Sequence, residues 1–537
     1  MNIYMDLYRT RLYLPLIVLM AAFIIFNKNG GTAKSGKYID KISDRLIALI
    51  LGCLGFGICA LLIYSGKSWG GDFSQFFAQA RALATGTVSD WYVKNQFIID
   101  NSCDGIGADV YPWLWAIVLA PVYRFLGYFP YTPLKLLECL FVAGTVATEF
   151  YIYKRRMTKS SAVILTFFTL FSVIITFNVN TIEADIVCMF MVIETLNIVD
   201  LYNSEESKKK QLLLAGLLGL FLFLSVATKT MAEGTVLALI CYDLLLALTA
   251  FFEKAGRKFL FRIEHKGGRT WYIRLVPYFV YILLTKILEA VLPAAGGTYN
   301  GYFTPTVERI RYGIVKYFGI FKGFFGDDCR PIISVILAVV VVSFLITAIL
   351  GMIVAFRKDT YAEIYSCGMI FMLLIYNYYR SGFAFTFYPI LIMFSFHGLS
   401  FVLEKVPGLK DAYVIQTLVF GLIVLMAAQT FFLIYNVRFK GYGFNDIDNQ
   451  PTYEIFEYID ENIGDDEVVH FFRPRVLYYF TNVNSYTSGD VAEDLGLADY
   501  VLLDNWNNEK HIEEAVLDDT AYELIFSNDV YRLWKKK

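Results

Sequence analysis

Long, nearly unbroken apolar runs dominate the chain. A bilayer core about 30 Å thick takes about 20 apolar residues per helix. Eleven runs reach or approach that length: 45–66, 134–153, 161–177, 183–202, 211–228, 233–252, 275–293, 331–356, 363–378, 386–404 and 412–435. Two further runs, 12–26 and 111–127, are shorter. The pattern predicts an all-α polytopic membrane protein with about 11–12 transmembrane helices. Near residue 440 it changes to short β-prone segments at 468–472, 500–504, 522–526 and 530–534, with helical spacing over 451–463 and 508–517. Ser527-Asn528-Asp529 suits a turn between the last two strands, so a small C-terminal α/β domain is expected.

Composition agrees with the membrane reading. Apolar residues make up 57% and charged residues 18% of the 537 residues, against about 45–50% and 25% in soluble proteins. The net charge of −2 hides a split. Residues 440–537 hold 8 Lys and Arg against 21 Asp and Glu, and the other 439 residues hold 39 against 28. Basic residues also set the orientation. With eleven crossings, the basic segments 27–45, 154–159, 208–210 and 253–274 all fall on the cytoplasmic side. The 67–133 loop, residues 294–330 and the tail are then extracytoplasmic, and 111–127 is an outer-face helix that does not span. Three parts result: an N-terminal anchor and basic loop (1–44), a transmembrane domain (45–439) and a soluble extracytoplasmic domain (440–537). The eight cysteines form no CxxC pair, and the four histidines are scattered, so neither suggests a metal framework. No GxxxxGK[ST], HExxH or GxSxG motif occurs, which argues against ATP-driven transport. No nucleic-acid partner is expected.

Candidate chemistry lies at the outer helix ends. Trp69-Gly-Gly-Asp72 precedes Phe73, Phe76, Phe77, Ala80, Leu83 and Ala84, with Ser74, Gln75, Gln79 and Arg81 on the other side. The spacing predicts an amphipathic helix lying in the membrane interface and ending near Gly86. Asp72 at its start reads either as a helix cap or as a general base at the membrane surface. Asp109 precedes Pro112 and the 111–127 segment, where it is either a solvated loop residue or a second acid. Glu183 and Asp185 open one apolar run, Lys229 and Glu233 flank a turn between two, and Arg380 lies between two more. Charges at such positions are costly, and their clustering suits a phosphate-linked donor: cations for the phosphate, a carboxylate for a hydroxyl proton.

These segments resemble the GT-C superfamily of membrane glycosyltransferases, in particular the family 39-like protein O-mannosyltransferases and lipid A aminoarabinose transferases. The resemblance rests on Asp72, Phe76, Ala80, Leu83 and Gly86, then on Asp109, Pro112 and Phe125-Leu126-Gly127. Further likenesses are Thr228-Lys229-Thr230, Tyr379-Arg380, and Arg473-Pro474-Arg475-Val476-Leu477-Tyr478-Tyr479-Phe480-Thr481 with Asp499-Tyr500-Val501. Two departures stand out: Phe73 where many members carry a second acid, and Tyr111 where protein O-mannosyltransferases carry His. The resemblance implies a multi-pass plasma-membrane enzyme of the cell envelope. It would transfer a sugar, with inversion, from a polyprenyl-phosphate donor to a glycan, lipid or protein hydroxyl. Asp72 would be the base, and Lys229 and Arg380 would hold the lipid phosphate. Asp109 would position the acceptor or help to hold a divalent cation, and Glu183 and Asp185 would border the cavity. A lipid or sugar transporter or flippase with an external cap is the competing class. It calls for inverted repeats and charges near mid-helix, and neither is evident.

Overall fold

The computed structural model describes residues 37–67, 69–103, 106–256, 271–296, 305–326, 331–376, 378–405, 413–441, 447–489, 491–506, 509–518 and 521–537, together with Leu19, Ala21, Ala22 and Ile25. Most of the 12–26 run lies outside the described residues. Among the described residues, six helices are long and apolar enough to cross a membrane by length and composition: Asp44–Leu62, Tyr131–Lys154, Lys208–Thr228, Thr230–Lys254, Ser334–Ala355 and Thr417–Phe439. This is a multi-pass membrane protein.

The other five apolar runs are helical as well, though shorter, broken or more charged. The 161–177 run breaks into Lys159–Leu170 and Val173–Asn178, because Ser172 between them is extended and its backbone caps the second piece. The 363–378 run gives Thr360–Ile375, only 16 residues. Ala184–Ser204 and Trp271–Val291 each span 21 residues but carry three charged positions. Tyr388–Lys405 is 18 residues long and ends on Glu404-Lys405. The 14-residue helix Trp113–Leu126 rises about 21 Å, too short to span. Two helices fall where loops were expected: Val88–Asn101 and Val307–Phe325.

The C-terminal domain carries a five-stranded sheet of β1 (Val468–His470), β2 (Asn484–Tyr486), β3 (Tyr500–Asp504), β4 (Tyr522–Ser527) and β5 (Tyr531–Lys536), in the order β2-β1-β3-β5-β4. β1 runs parallel to β2 and β3, while β5 is antiparallel to β3 and β4. Helices Gln450–Asn462 and Pro474–Thr481 pack with it. The three-residue, polar β2 is the strand that the sequence pattern misses.

The helix Asp72–Thr85 joins the two parts. Phe73, Phe76 and Phe77 share one buried cluster with Trp113 and Trp115 of the bundle and with Phe456, Phe471, Val476 and Leu477 of the C-terminal domain. Its polar side is buried too: Ser74 and Gln79 are fully enclosed and Gln75 nearly so. The helix is therefore not a surface element with one wet face, as its pattern suggests. Its polar side chains hold chain instead of water, Gln79 donating to Tyr111 O at 2.9 Å and Gln75 to Asp109 O at 3.3 Å. At the opposite end of the bundle, buried Arg156 bridges Asp200 at 2.5 Å and Asp359 at 2.6 Å, tying three helices together.

Candidate active site

At the sheet-domain end of the bundle five separated segments meet around a cavity of about 90 Å³, lined among others by Asp72, Tyr111, Glu183, Asp185, Lys229 and Arg380. Each charged side chain is carried there by a helix end. Asp72 is the first residue of its helix, with Gly71 as the cap residue and no side-chain cap bond. Its carboxylate turns away from the helix, accepting from Tyr111 Oη at 2.8 Å and pairing with Arg380. The capping reading of Asp72 is thereby set aside. Glu183 stands at the start of Ala184–Ser204, also without a cap bond, and Asp185 lies in its first turn. Lys229 ends Lys208–Thr228 in an extended conformation, which swings its side chain off the helix.

Arg380 is the hub. Its guanidinium pairs with Asp72 and Glu183 and lies 3.1 Å from Asp185, and Lys229 pairs with Asp185. The Lys229 ammonium also sits 4.8 Å from the ring centre of Phe383. Close approach here demands glycine: a Cβ on Gly382 would fall 2.5 Å from the Asp185 carboxylate. Ile182, just before Glu183, holds a positive φ of 51°, a conformation rare for a β-branched residue.

Burial alone would raise the Asp72 pKa. The charges of Arg380 and Lys229, with hydrogen bonds from Tyr111 and Arg380, more than offset that and hold the carboxyl below its ordinary range. Asp72 is thus a carboxylate, but one whose basicity is suppressed while both cations face it.

The cavity opens beside a much larger apolar groove of about 2050 Å³, with which it shares Lys229, Thr230, Tyr376 and Phe383. The groove runs between Glu233–Lys254 and Thr360–Ile375, its lining including Glu233 near one end and Arg357 and Glu363 near the other. It places an apolar channel against Lys229, beside the cavity that Arg380 lines.

Of the residues singled out from sequence, Asp72, Glu183, Asp185, Lys229 and Arg380 line one cavity. Asp109 does not line it. Its backbone carbonyl accepts from Asn95 at 2.5 Å and Gln75 at 3.3 Å, which fixes the segment leading to Tyr111. Tyr111 takes the place next to the carboxylate. Its position two residues after an acid and before Pro112 was the available signal. Among the described residues no group of three or more His, Cys, Asp or Glu is arranged to hold a metal ion. The three carboxylates of the cavity pair with Arg380 and Lys229.

Neither protein-family models nor curated proteins match this sequence. Solved structures do. ArnT from Cupriavidus metallidurans superposes with a TM-score of 0.52 in the apo state and 0.51 bound to undecaprenyl phosphate, at 10% identity in both. The bound form covers 91% of this chain and 97% of its own. The Archaeoglobus fulgidus oligosaccharyltransferase tethered to an acceptor peptide superposes with a TM-score of 0.52 at 13% identity, covering 87% of this chain and 70% of its own. The chain shares its fold with these two proteins.

Proposed function

We propose that the protein is a membrane glycosyltransferase that moves a sugar from a polyprenyl-phosphate donor to a hydroxyl acceptor at the outer face of the membrane, with inversion. One observation carries this reading: a carboxylate and two cations meet where an apolar groove ends against a small polar cavity. A prenyl chain suits the groove, a phosphate suits Lys229 and Arg380, and a sugar bridging phosphate and Asp72 suits the cavity. The ArnT structure with undecaprenyl phosphate supports a lipid phosphate of this class. The basic loops support the outward orientation, since all of them then face the cytoplasm.

In this mechanism the acceptor oxygen attacks the anomeric carbon on the face opposite the phosphate. The bond from that carbon to the phosphate oxygen breaks, and its electron pair leaves with the lipid phosphate. Arg380 and Lys229 stabilise the charge that gathers there. The acceptor proton passes to Asp72. The resting ion pairs also impose an order. While Arg380 faces Asp72, the carboxylate is a weak base; a donor phosphate competes for the same guanidinium and leaves Asp72 more basic. Donor binding thus prepares the base.

The test is ligand-dependent stability. Undecaprenyl phosphate is expected to raise the Tm of the purified protein in detergent, because a ligand at 100 times its Kd adds about 2.7 kcal/mol. Undecaprenol, which lacks the phosphate, should do far less, and Lys229→Ala should lose most of the difference. Equal stabilisation by alcohol and phosphate, in wild type and Lys229→Ala alike, would contradict a phosphate site at these cations.

A further inference from the structure

One side chain of the C-terminal domain packs against Tyr111, which lines the cavity. Arg475 lies in the first turn of Pro474–Thr481 and is only 6% exposed. Its guanidinium donates to Ile106 O at 2.9 Å and to Ala108 O at 2.6 Å, and its centre sits 5.3 Å from the ring centre of Tyr111. One of its nitrogens also lies 3.4 Å from Tyr111 Oη, a long hydrogen bond. No ion pair to a carboxylate is formed by Arg475 among the described residues. A buried cation without a partner acid is costly and calls for a reason.

The segment that Arg475 holds is built tightly around Tyr111. Gln79 grips both backbone groups of Tyr111, donating to its carbonyl at 2.9 Å and accepting from its N–H at 3.3 Å. Gly107 has a φ of +102°, and a Cβ there would lie 2.9 Å from Tyr111 Oη and 3.4 Å from Arg475 Nη1. Only glycine lets the guanidinium and the phenol come together. The direction of the hydrogen bonds then follows from donor inventory. A guanidinium can only donate, so Tyr111 Oη accepts from Arg475 and directs its own proton to Asp72 Oδ1 at 2.8 Å. The other oxygen, Oδ2, faces Arg380.

We propose that Arg475 is a positioning residue for transfer: acting through Tyr111, it fixes one oxygen of Asp72 and leaves the other to receive the acceptor proton once Arg380 turns to the donor phosphate. The soluble domain is then part of the catalytic apparatus. This inference rests on Asp72 being the base.

A double-mutant cycle on the full-length protein tests it, with Arg475→Met, Tyr111→Phe and the pair, reading kcat and donor KM with a labelled polyprenyl-phosphate sugar. Each single change is expected to lower kcat by about tenfold while donor KM moves by less than about twofold. The double variant should be no slower than Tyr111→Phe alone, since residues acting as one unit are not additive. The acid limb of the kcat profile should move to higher pH in both single variants, because the hydrogen bond that favours the charged form of Asp72 is lost in Tyr111→Phe and loosened in Arg475→Met. A roughly hundredfold loss in the double variant would overturn the inference. So would an Arg475→Met protein that is less abundant yet turns over normally per folded molecule. If Arg475→Met does not accumulate, Arg475→Lys in the same cycle keeps the charge but loses the planar fork, and the same two outcomes decide. A wild-type protein that transfers no sugar would count against the proposed function itself, whereas a working wild type without coupling would count against Arg475 alone.

Discussion

Asp72→Asn is expected to leave a folded, membrane-inserted protein that transfers sugar at least ~100-fold more slowly, the loss typical of removing a positioned general base. The substitution keeps the size and shape of the side chain. The partners of the Asp72 carboxylate are Tyr111 and Arg380 rather than its own helix, so the helix loses only the small dipole term of a first-turn acid. Tyr111 can still donate to the remaining side-chain oxygen, and Arg380 keeps Glu183 and Asp185 as partners. What disappears is the charge and the basicity. The pH profile of the wild type should carry the same signature. Asp72 must be ionised to act, so the rate falls as pH drops through its pKa. In the donor-free enzyme that pKa lies below the ordinary carboxylate range, and the acid limb of kcat/KM should lie there too. With donor bound, Arg380 and Lys229 turn to the phosphate and a second anion stands nearby, so the acid limb of kcat should lie at higher pH. Initial rates across pH, at low and at saturating donor, measure both limbs. Near-normal transfer by well-folded Asp72→Asn, or coincident limbs, would remove Asp72 from the role of base.

Arg380→Ala is expected to damage both fold and turnover. Arg380 is the shared partner of Asp72, Glu183 and Asp185, the last two almost fully buried. Removing one partner of a buried ion pair costs about 3–5 kcal/mol, because an uncompensated charge is left behind. Lys229 can compensate only Asp185, so thermal unfolding should drop markedly. Removing a donor that stabilises developing charge costs a further ~10²–10³ in kcat. The two effects separate in Arg380→Ala/Glu183→Gln. Neutralising Glu183 should restore much of the thermal stability and none of the turnover, because no phosphate ligand is regained. Recovery of turnover along with stability would mean that Arg380 serves the fold only.

Much of this was legible in the sequence for physical reasons that differ from element to element. The apolar runs register because a helix in hydrocarbon needs uninterrupted apolar length. β3, β4 and β5 register because β-branched and aromatic residues cluster between polar turns. The break at Phe171-Ser172 left no signal, as Ser and Thr are common inside apolar helices, and the extended Ser172 is set by packing. Val88–Asn101 and Val307–Phe325 mix charged, aromatic and apolar residues, so neither reads as a spanning helix. Asp72, Glu183, Asp185, Lys229 and Arg380 stood out because charge beside apolar runs is expensive. That cost does not tell which charges meet. Asp109 looked as acidic as the rest, yet it does not line the cavity. Arg475 stood in the sequence only as part of the Arg473–Thr481 likeness, with no role attached to it. Its part depends on contacts with Ile106, Ala108 and Tyr111 more than 360 residues away, which no local pattern encodes.

The central claim is that this chain breaks the bond between a sugar and a polyprenyl phosphate and passes the sugar to an acceptor hydroxyl. Its most direct test is turnover by the purified protein in liposomes supplied with sugar-labelled polyprenyl-phosphate donors and an acceptor-containing envelope extract. The account requires acceptor-dependent release of polyprenyl monophosphate, a labelled product of inverted anomeric configuration, and loss of both with Asp72→Asn. Movement of intact donor across the bilayer with no release of lipid phosphate, equal in wild type and Asp72→Asn, would contradict it.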